Sequence, residues 1–236
     1  MRTSPSILAL ICAASLLAAC ATGTVVRGEV DDSADASVDA EAVDGALPPR
    51  DAGAPDAVVD GSSAPRAPAA GEVIFSEMMI NPDGVSDELG EWIELYNTTD
   101  APLSLAGCRL TDESSPKDDK LVDVPVVLPA KSAVVLAREA DSAQNGGLTG
   151  AVLEYGPSFV LANGGDTTVL VCGSTEVDRV TFASTWPFAK GTTMQLRQSA
   201  RSATANDLAA SWCTATLTYG TGTQRGTPGN TQNHCP

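Results

Sequence analysis

The chain has 236 residues and a formal net charge of −16, with 30 acidic residues against 14 Lys and Arg. Such an excess of negative charge repels phosphate backbones and argues against nucleic acid as a partner. The single histidine, His234, stands two residues from the end, and neither an H-E-x-x-H nor a G-x-S-x-G motif occurs. Histidine-dependent proteases and hydrolases are therefore disfavoured, and no catalytic residue is predicted.

The first segment is typical of a secretory signal, residues 1–19. Arg2 precedes a short apolar run, 7–19, which is too short to span a bilayer as a mature helix. The run ends in Leu-Ala-Ala followed by Cys20, which is similar to the bacterial lipobox, so we expect Cys20 to carry the lipid anchor. The alternative is an ordinary cleaved signal with an incidental cysteine. Since Ala21 replaces the aspartate of inner-membrane retention, the outer membrane is favoured.

Residues 20–70 have the composition of a disordered tether. From residue 21 onwards the segment has no aromatic residue and carries ten acids against Arg27, Arg50 and Arg66. Such a chain cannot bury enough apolar surface to offset its ordering entropy. About 50 flexible residues would reach roughly 40 Å. Recruitment of calcium or of basic partners by the acidic runs is the alternative to a plain spacer.

Residues 71–236 are predicted to form one all-β domain, a β-sandwich. No long segment shows apolar residues at helical spacing, whereas short apolar runs alternate with Gly- and Asn-rich turns. In residues 93–96 the alternation predicts a strand with one buried face. The other predicted strands are 73–79, 101–105, 133–137, 158–161, 167–172 and 177–182.

Several segments resemble the lamin-tail domain family in its bacterial form. The first three are 74–82, 90–97 and 105–112, and two later turns are 161–166 and 226–230. They occur in the family's order over residues 71–230. The resemblance implies an immunoglobulin-like β-sandwich that acts as a binding or adaptor module and supplies no catalytic residues.

Four cysteines remain once Cys12 leaves with the signal and Cys20 is lipidated. They are Cys108, Cys172, Cys213 and Cys235. An even number in an exported domain indicates two disulfides, with three possible connectivities. Their spacing fits neither C-x-x-C nor a zinc finger, so a metal site is disfavoured.

Strand parity favours one of these connectivities. Cys108 shares a strand face with Leu110, and Cys172 shares one with Leu170, so both cysteines are expected to point into the core. Cys108 also stands where the family usually has an aromatic residue, so a bridge there can replace lost packing. The predicted pairs are Cys108–Cys172 and Cys213–Cys235.

One loop is a weak candidate for binding calcium. Asn81, Asp83 and Asp87 offer hard oxygen ligands in a flexible turn. The loop is not an EF-hand, because Ser86 and Trp92 occupy the positions of its glycine and its last glutamate.

Alternating acids and aromatics leave two further questions open. Glu77 and Glu94 lie on predicted strands, where we expect a solvated face, although two carboxylates also suit a glycosidase. Trp92 and Tyr96 share the face opposite the buried one, and form either a packing face or an exposed contact patch. A carbohydrate-stacking platform would require Trp92, Tyr96 or Trp186 to be exposed.

The sequence therefore predicts a non-enzymatic lipoprotein of the bacterial outer membrane. Its sandwich is expected to be a binding or structural module, with a protein or polysaccharide of the cell envelope as partner and with the membrane bound through the Cys20 lipid. The rival hypotheses are an envelope hydrolase and a carbohydrate-binding module.

Overall fold

The structure is a computed structural model that describes residues 64–112, 120–232 and 235. These residues form mostly strands, with one short helix, α1 (Asp87–Gly90), and two 3₁₀ turns, Gln198–Ala200 and Ala209–Ser211. The strands are β1 (Val73–Met79), β2 (Trp92–Asn97), β3 (Leu103–Ser104), β4 (Cys108–Thr111), β5 (Lys120–Leu121), β6 (Val127–Leu128), β7 (Ala133–Ala137), β8 (Ala151–Glu154), β9 (Gly165–Cys172), β10 (Thr175–Ala183), β11 (Met194–Leu196), β12 (Trp212–Thr214), β13 (Thr218–Tyr219) and β14 (Gln224–Arg225).

Two sheets enclose the main core. The larger has six strands in the order β12-β11-β1-β2-β7-β8, and the smaller has four in the order β10-β9-β4-β5. Within the larger sheet only β7 and β8 pair in parallel. Side chains of both sheets meet in one apolar cluster that includes Phe75, Ile93, Leu110 and Leu170. The predicted all-β, immunoglobulin-like sandwich is confirmed.

Both faces of the central strands are covered, where the sequence predicted one buried face. All seven residues of β1 and all six of β2 are buried. A second apolar cluster lies on the outer face of the six-stranded sheet and consists of Met79, Trp92, Val135, Ala137 and Leu148. The prediction was wrong because the cover of this outer face comes from later parts of the chain, such as Tyr219.

The predicted strand at 158–161 does not form. Pro157 precedes it and has no amide hydrogen to donate to a ladder. Phe159 instead packs edge-on against Tyr155, with ring centroids 5.5 Å apart. The amide of Leu161 donates to the carboxylate of Glu91 at 3.2 Å, so local side-chain contacts replace strand pairing.

The folded domain begins before residue 71, whereas the composition of the sequence placed its start at residue 71. Arg66 forms a parallel bridge with Leu103, and its carbonyl accepts the Ser104 amide at 2.7 Å. Its guanidinium also holds Glu72 through two contacts of 2.6 Å, which lower the pKa of that carboxyl to about 2. Residues 1–63, which contain the predicted signal, Cys20 and most of the predicted tether, lie outside the described residues.

The disulfides join the pairs that strand parity predicts. Cys108 and Cys172 stand directly opposite each other on β4 and β9, with Cα atoms 4.1 Å apart. Cys213 on β12 is bonded to Cys235 near the C-terminus. In the described ranges, no helix has the length and apolarity needed to cross a membrane.

Candidate functional site

A row of polar side chains crosses the outer face of the six-stranded sheet. Glu77 on β1 stands opposite Gln195 on β11 and opposite Glu94 on β2. A register shift at Ser76 sets this pairing, because the ladder resumes with Glu77 against Glu94. We call Gln195, Glu77 and Glu94 the polar row.

Residues 226–230, which we call the closing segment, lie over the polar row and donate to it. The Thr227 amide donates to Oε1 of Glu77 at 2.8 Å, and the Thr227 hydroxyl donates to Oε2 at 2.7 Å. The Gly229 amide donates to Oε2 of Glu94 at 2.8 Å. A Cβ on Gly226 would lie 2.9 Å from Glu77 Oε1 and 3.1 Å from the Trp92 ring, so a larger residue there would displace the Glu77 carboxyl group.

The sheet supplies the remaining hydrogen bonds of the polar row. Thr193 donates its hydroxyl to Oε1 of Glu77 at 2.6 Å, and Ser76 donates its hydroxyl to Oε1 of Glu94 at 2.7 Å. The side-chain amide of Gln195 contacts the Thr227 hydroxyl, with Nε2 and Oγ1 2.5 Å apart. Both carboxyl groups are thus held in fixed orientations by donors from β1, from the residue before β11 and from the closing segment.

Burial determines the electrostatics of the two carboxyl groups. Glu77 is 1% exposed and Glu94 is 3% exposed, so the expectation of a solvated face was wrong. Burial first, and then the charge of Glu77, raise the pKa of Glu94 to about 8. Burial also raises the pKa of Glu77, against the lowering effect of its hydrogen bonds from Thr193 and Thr227. The pair therefore holds a proton near neutral pH and can take it up or return it within the buried site.

The position of the polar row decides against the glycosidase hypothesis for these two acids. A glycosidase needs two carboxyl groups that flank a polysaccharide in an open cleft. Glu77 and Glu94 lie instead beneath the closing segment, where Thr227 and Gly229 occupy their oxygens.

The predicted contact patch is not exposed. Trp92 is fully buried, donates its indole N–H to the Tyr219 hydroxyl at 2.7 Å, and packs edge-on against that ring. Tyr96 is 7% exposed and lies under the Arg201 guanidinium, 4.2 Å from the ring centroid. Trp186 is half-buried against Trp212. The patch hypothesis was wrong because later chain segments cover both residues, and the packing alternative is correct.

The calcium candidates are engaged in other contacts. Asp83 pairs with Lys190 at 3.0 Å, and this neighbour lowers the pKa of the Asp83 carboxyl. Asp87 accepts from the Asn163 amide at 2.9 Å, and the Asn81 carbonyl accepts the Gly191 amide. Among the residues that the structure describes, no three His, Cys, Asp or Glu side chains form a group that could hold a metal. Calcium binding by this loop stays a prediction.

Two other buried acids hold loops to the sandwich. Glu91 pairs with Arg138 at 3.2 Å, and burial raises the pKa of Glu91 to about 8. Asp178 lines a surface recess of about 500 Å³, but its Oδ2 accepts from the Phe75 amide at 2.8 Å and from Asn206 at 2.7 Å. Burial raises the pKa of Asp178 to about 7. These contacts give both acids a structural role.

The sequence pointed to Glu77, Glu94 and the turn at residues 226–230 separately and did not indicate that they meet. Segments 74–82, 90–97 and 226–230 carried the resemblance, and each supplies one component of the site. The resemblance of all three segments to one family, in that family's order, was the available signal. Gln195 was not singled out at all, since it lies on the three-residue strand β11. His234 is outside the described residues.

The two packed sheets define a class of fold, the immunoglobulin-like β-sandwich. A family model described as Lamin Tail Domain matches residues 66–184, and the chain belongs to this family. The family is a non-catalytic binding or structural domain. No curated protein matches the chain. The family match ends before β11, β12 and the closing segment, which the structure includes in the same domain.

Proposed function

We propose that this chain is an exported lipoprotein, held in the outer membrane by a lipid on Cys20, whose lamin-tail domain is a binding or structural module of the cell envelope. The observation that carries the proposal is the pair of disulfides in a domain that follows a lipobox-like sequence. Such bridges persist in oxidising compartments outside the cytoplasm.

The arrangement of the module favours display over catalysis. Its most perturbed acids are buried and bonded within the domain, so partners meet only its outer surface. Residues 21–63 would hold that surface away from the membrane at roughly 30 to 40 Å for a flexible chain of this length. The partner class is a protein or polysaccharide of the envelope, which the module binds without changing it chemically.

The anchor is tested by replacing Cys20 with Ser in the full chain, expressed in a bacterium that processes lipoproteins. We expect the wild-type protein to incorporate labelled fatty acid and to sediment with outer membranes until detergent is added. Cys20→Ser should lose both properties, because this variant lacks the acylated N-terminus that attaches the protein to the membrane. Cys12→Ser is the matched control. Because Cys12 lies in the apolar run and not at the lipidation position, this substitution should leave both properties intact.

Membrane retention of Cys20→Ser through a detergent-sensitive anchor would contradict the proposed attachment.

The binding role is tested separately by photo-crosslinking wild-type cells and identifying adducts of the chain by mass spectrometry. We expect adducts with envelope components, and hydrolysis of envelope polymers by the purified chain would contradict a non-catalytic module.

A further inference from the structure

The contacts around Thr227 bring together a nucleophile, a base and an electrophile. The Thr227 hydroxyl donates to Oε2 of Glu77 at 2.7 Å, and Oγ1 of the same hydroxyl lies 2.5 Å from Nε2 of Gln195. In this hydrogen bond Nε2 of Gln195 is the donor and Oγ1 of Thr227 is the acceptor. The Gln195 carbonyl carbon is bonded to Nε2, so it lies one bond away from this close contact.

We propose that Thr227 and Gln195 form an intramolecular ester that covalently ties the closing segment to β11. The hydroxyl oxygen of Thr227 attacks Cδ of Gln195, a C–O bond forms, and the C–N bond of the carboxamide breaks. The products are one ester and one molecule of ammonia, with no change in oxidation state and no co-reactant.

Glu77 is placed to move the proton that this reaction transfers. Its carboxylate accepts the Thr227 hydroxyl proton, which activates the oxygen as a nucleophile. It also hydrogen-bonds with the Gln195 side-chain amide, the group that leaves. One carboxyl group therefore contacts both the nucleophile and the leaving nitrogen. Burial raises its pKa, which suits a group that both takes and returns a proton.

The surroundings fix the reacting groups and exclude water. Gln195 and Glu77 are each 1% exposed, and Thr227 is 6% exposed. The Thr193 hydroxyl and the Thr227 amide both donate to Oε1 of Glu77, which leaves Oε2 directed at the Thr227 hydroxyl. Such fixed geometry gives intramolecular reactions a large effective concentration. Exclusion of water also protects the ester from hydrolysis once it has formed.

The environment of the Gln195 side-chain carbonyl oxygen is consistent with one slow reaction rather than with repeated turnover. Oε1 of Gln195 is buried and has no hydrogen-bond partner. No donor in the described structure would therefore stabilise an oxyanion there, in contrast to enzymes that turn over rapidly. One event in the lifetime of each molecule is enough to form the link, and loss of ammonia makes it lasting.

The link would act beside the Cys213–Cys235 disulfide. Gln195 stands opposite Cys213 on the neighbouring strand, and Cys235 Sγ contacts the backbone carbonyl oxygen of Gln195. The disulfide and the ester would therefore attach the same C-terminal chain to β12 and β11. Unlike the disulfide, the ester would survive reducing agents.

The test is peptide mapping of the folded full chain after reduction and alkylation, with trypsin digestion at slightly acidic pH to preserve esters. Cleavage after Lys190, Arg197 and Arg225 places Gln195 in peptide 191–197 and Thr227 in peptide 226–236. We expect one linked species with the mass of both peptides less one ammonia. Hydroxylamine, which cleaves esters, should separate it.

Variants define the chemistry. Thr227→Val should abolish the linked species, Thr227→Ser should retain it, and Glu77→Gln should abolish it or slow its formation. Thr221→Val, on the preceding exposed turn, is the matched control and should leave the link intact. Recovery of peptides 191–197 and 226–236 only as separate, unmodified species from the wild-type chain overturns the proposal. Full linkage in Glu77→Gln overturns the role of Glu77.

Discussion

Glu77 and Glu94 show how two like charges are accommodated on adjacent strands. Directly opposed carboxylates destabilise a sheet, and burial adds a desolvation cost. The structure offsets these terms with hydroxyl and amide donors from Ser76, Thr193, Thr227 and Gly229, and by raising the pKa of the pair. A shared proton then reduces the repulsion at neutral pH.

The raised pKa of Glu94 predicts a stability that falls as pH rises. The folded state keeps a proton up to a pKa of about 8, whereas an unfolded glutamate releases it near pH 4.3. This contribution is therefore complete below about pH 4 and is lost as pH rises through about 8. Glu94→Gln cannot titrate, so its stability relative to wild type should increase from pH 5 to pH 9, by at most about 1.4 kcal/mol per pH unit.

Denaturant unfolding at several pH values measures this difference. Asp141→Asn is the control, because its exposed carboxyl has a lowered pKa, so the difference in stability between this variant and wild type should stay constant from pH 5 to pH 9 and disappear only at acid pH. A difference between Glu94→Gln and wild type that stays constant from pH 5 to pH 9 would show that Glu94 is ionised in the folded protein.

At the scale of single elements, the two disulfides constrain different parts of the domain. Cys108–Cys172 joins the centre of the four-stranded sheet across 64 residues of sequence, and Cys108 is fully buried. Cys213–Cys235 spans 22 residues and holds the C-terminal chain against β12. In the loop-entropy description a longer closed loop gives the larger stabilisation.

Paired substitutions should rank the two bridges. Replacing Cys108 and Cys172 together by Ala should lower the free energy of unfolding by about 2–5 kcal/mol. Replacing Cys213 and Cys235 together by Ala should cost less, and pairwise replacement avoids a leftover thiol in either variant. Guanidinium unfolding of both variants and wild type gives the comparison. Equal losses, or a larger loss for Cys213 and Cys235, would refute this ranking.

Local properties of the elements were readable from the sequence. β1 and β7 have the predicted bounds, because alternation and turn residues act over a few neighbouring positions. The pairing of Cys108 with Cys172 followed from side-chain parity within two strands. The burial of Glu77 did not follow, since its cover at Thr227 is 150 residues away along the chain. A segment without periodicity gives no signal of where it will pack.

At the scale of the whole molecule, the folded region starts earlier than composition suggests and extends to the last cysteine. Arg66 is tied to Ser104 and Glu72, and Cys235 is tied to Cys213. Composition placed the boundary at residue 71 because residues 64–70 share the Ala and Pro content of the preceding segment. The contacts of Arg66 with the sandwich nevertheless assign residues 64–70 to the folded domain.

Limited proteolysis should map this boundary. Proteases cut exposed chain that lacks buried contacts, so we expect cleavage within residues 21–63 and a resistant fragment that begins close to residue 64. Mass spectrometry of the fragments identifies the sites. Early cleavage within β2, or resistance throughout residues 21–63, would contradict the division into tether and domain.

The closing segment belongs to the fold and seals the polar row. Hydrogen exchange of the full chain tests it at single amides. The Thr227 amide donates to a buried carboxyl group of Glu77, whereas the exposed Gln232 amide donates only to the nearby Asn230 side chain. We predict that the Thr227 amide exchanges as slowly as those of β1, and that the Gln232 amide exchanges fast. Exchange of the Thr227 amide at the rate of the Gln232 amide would show that the closing segment does not seal the polar row.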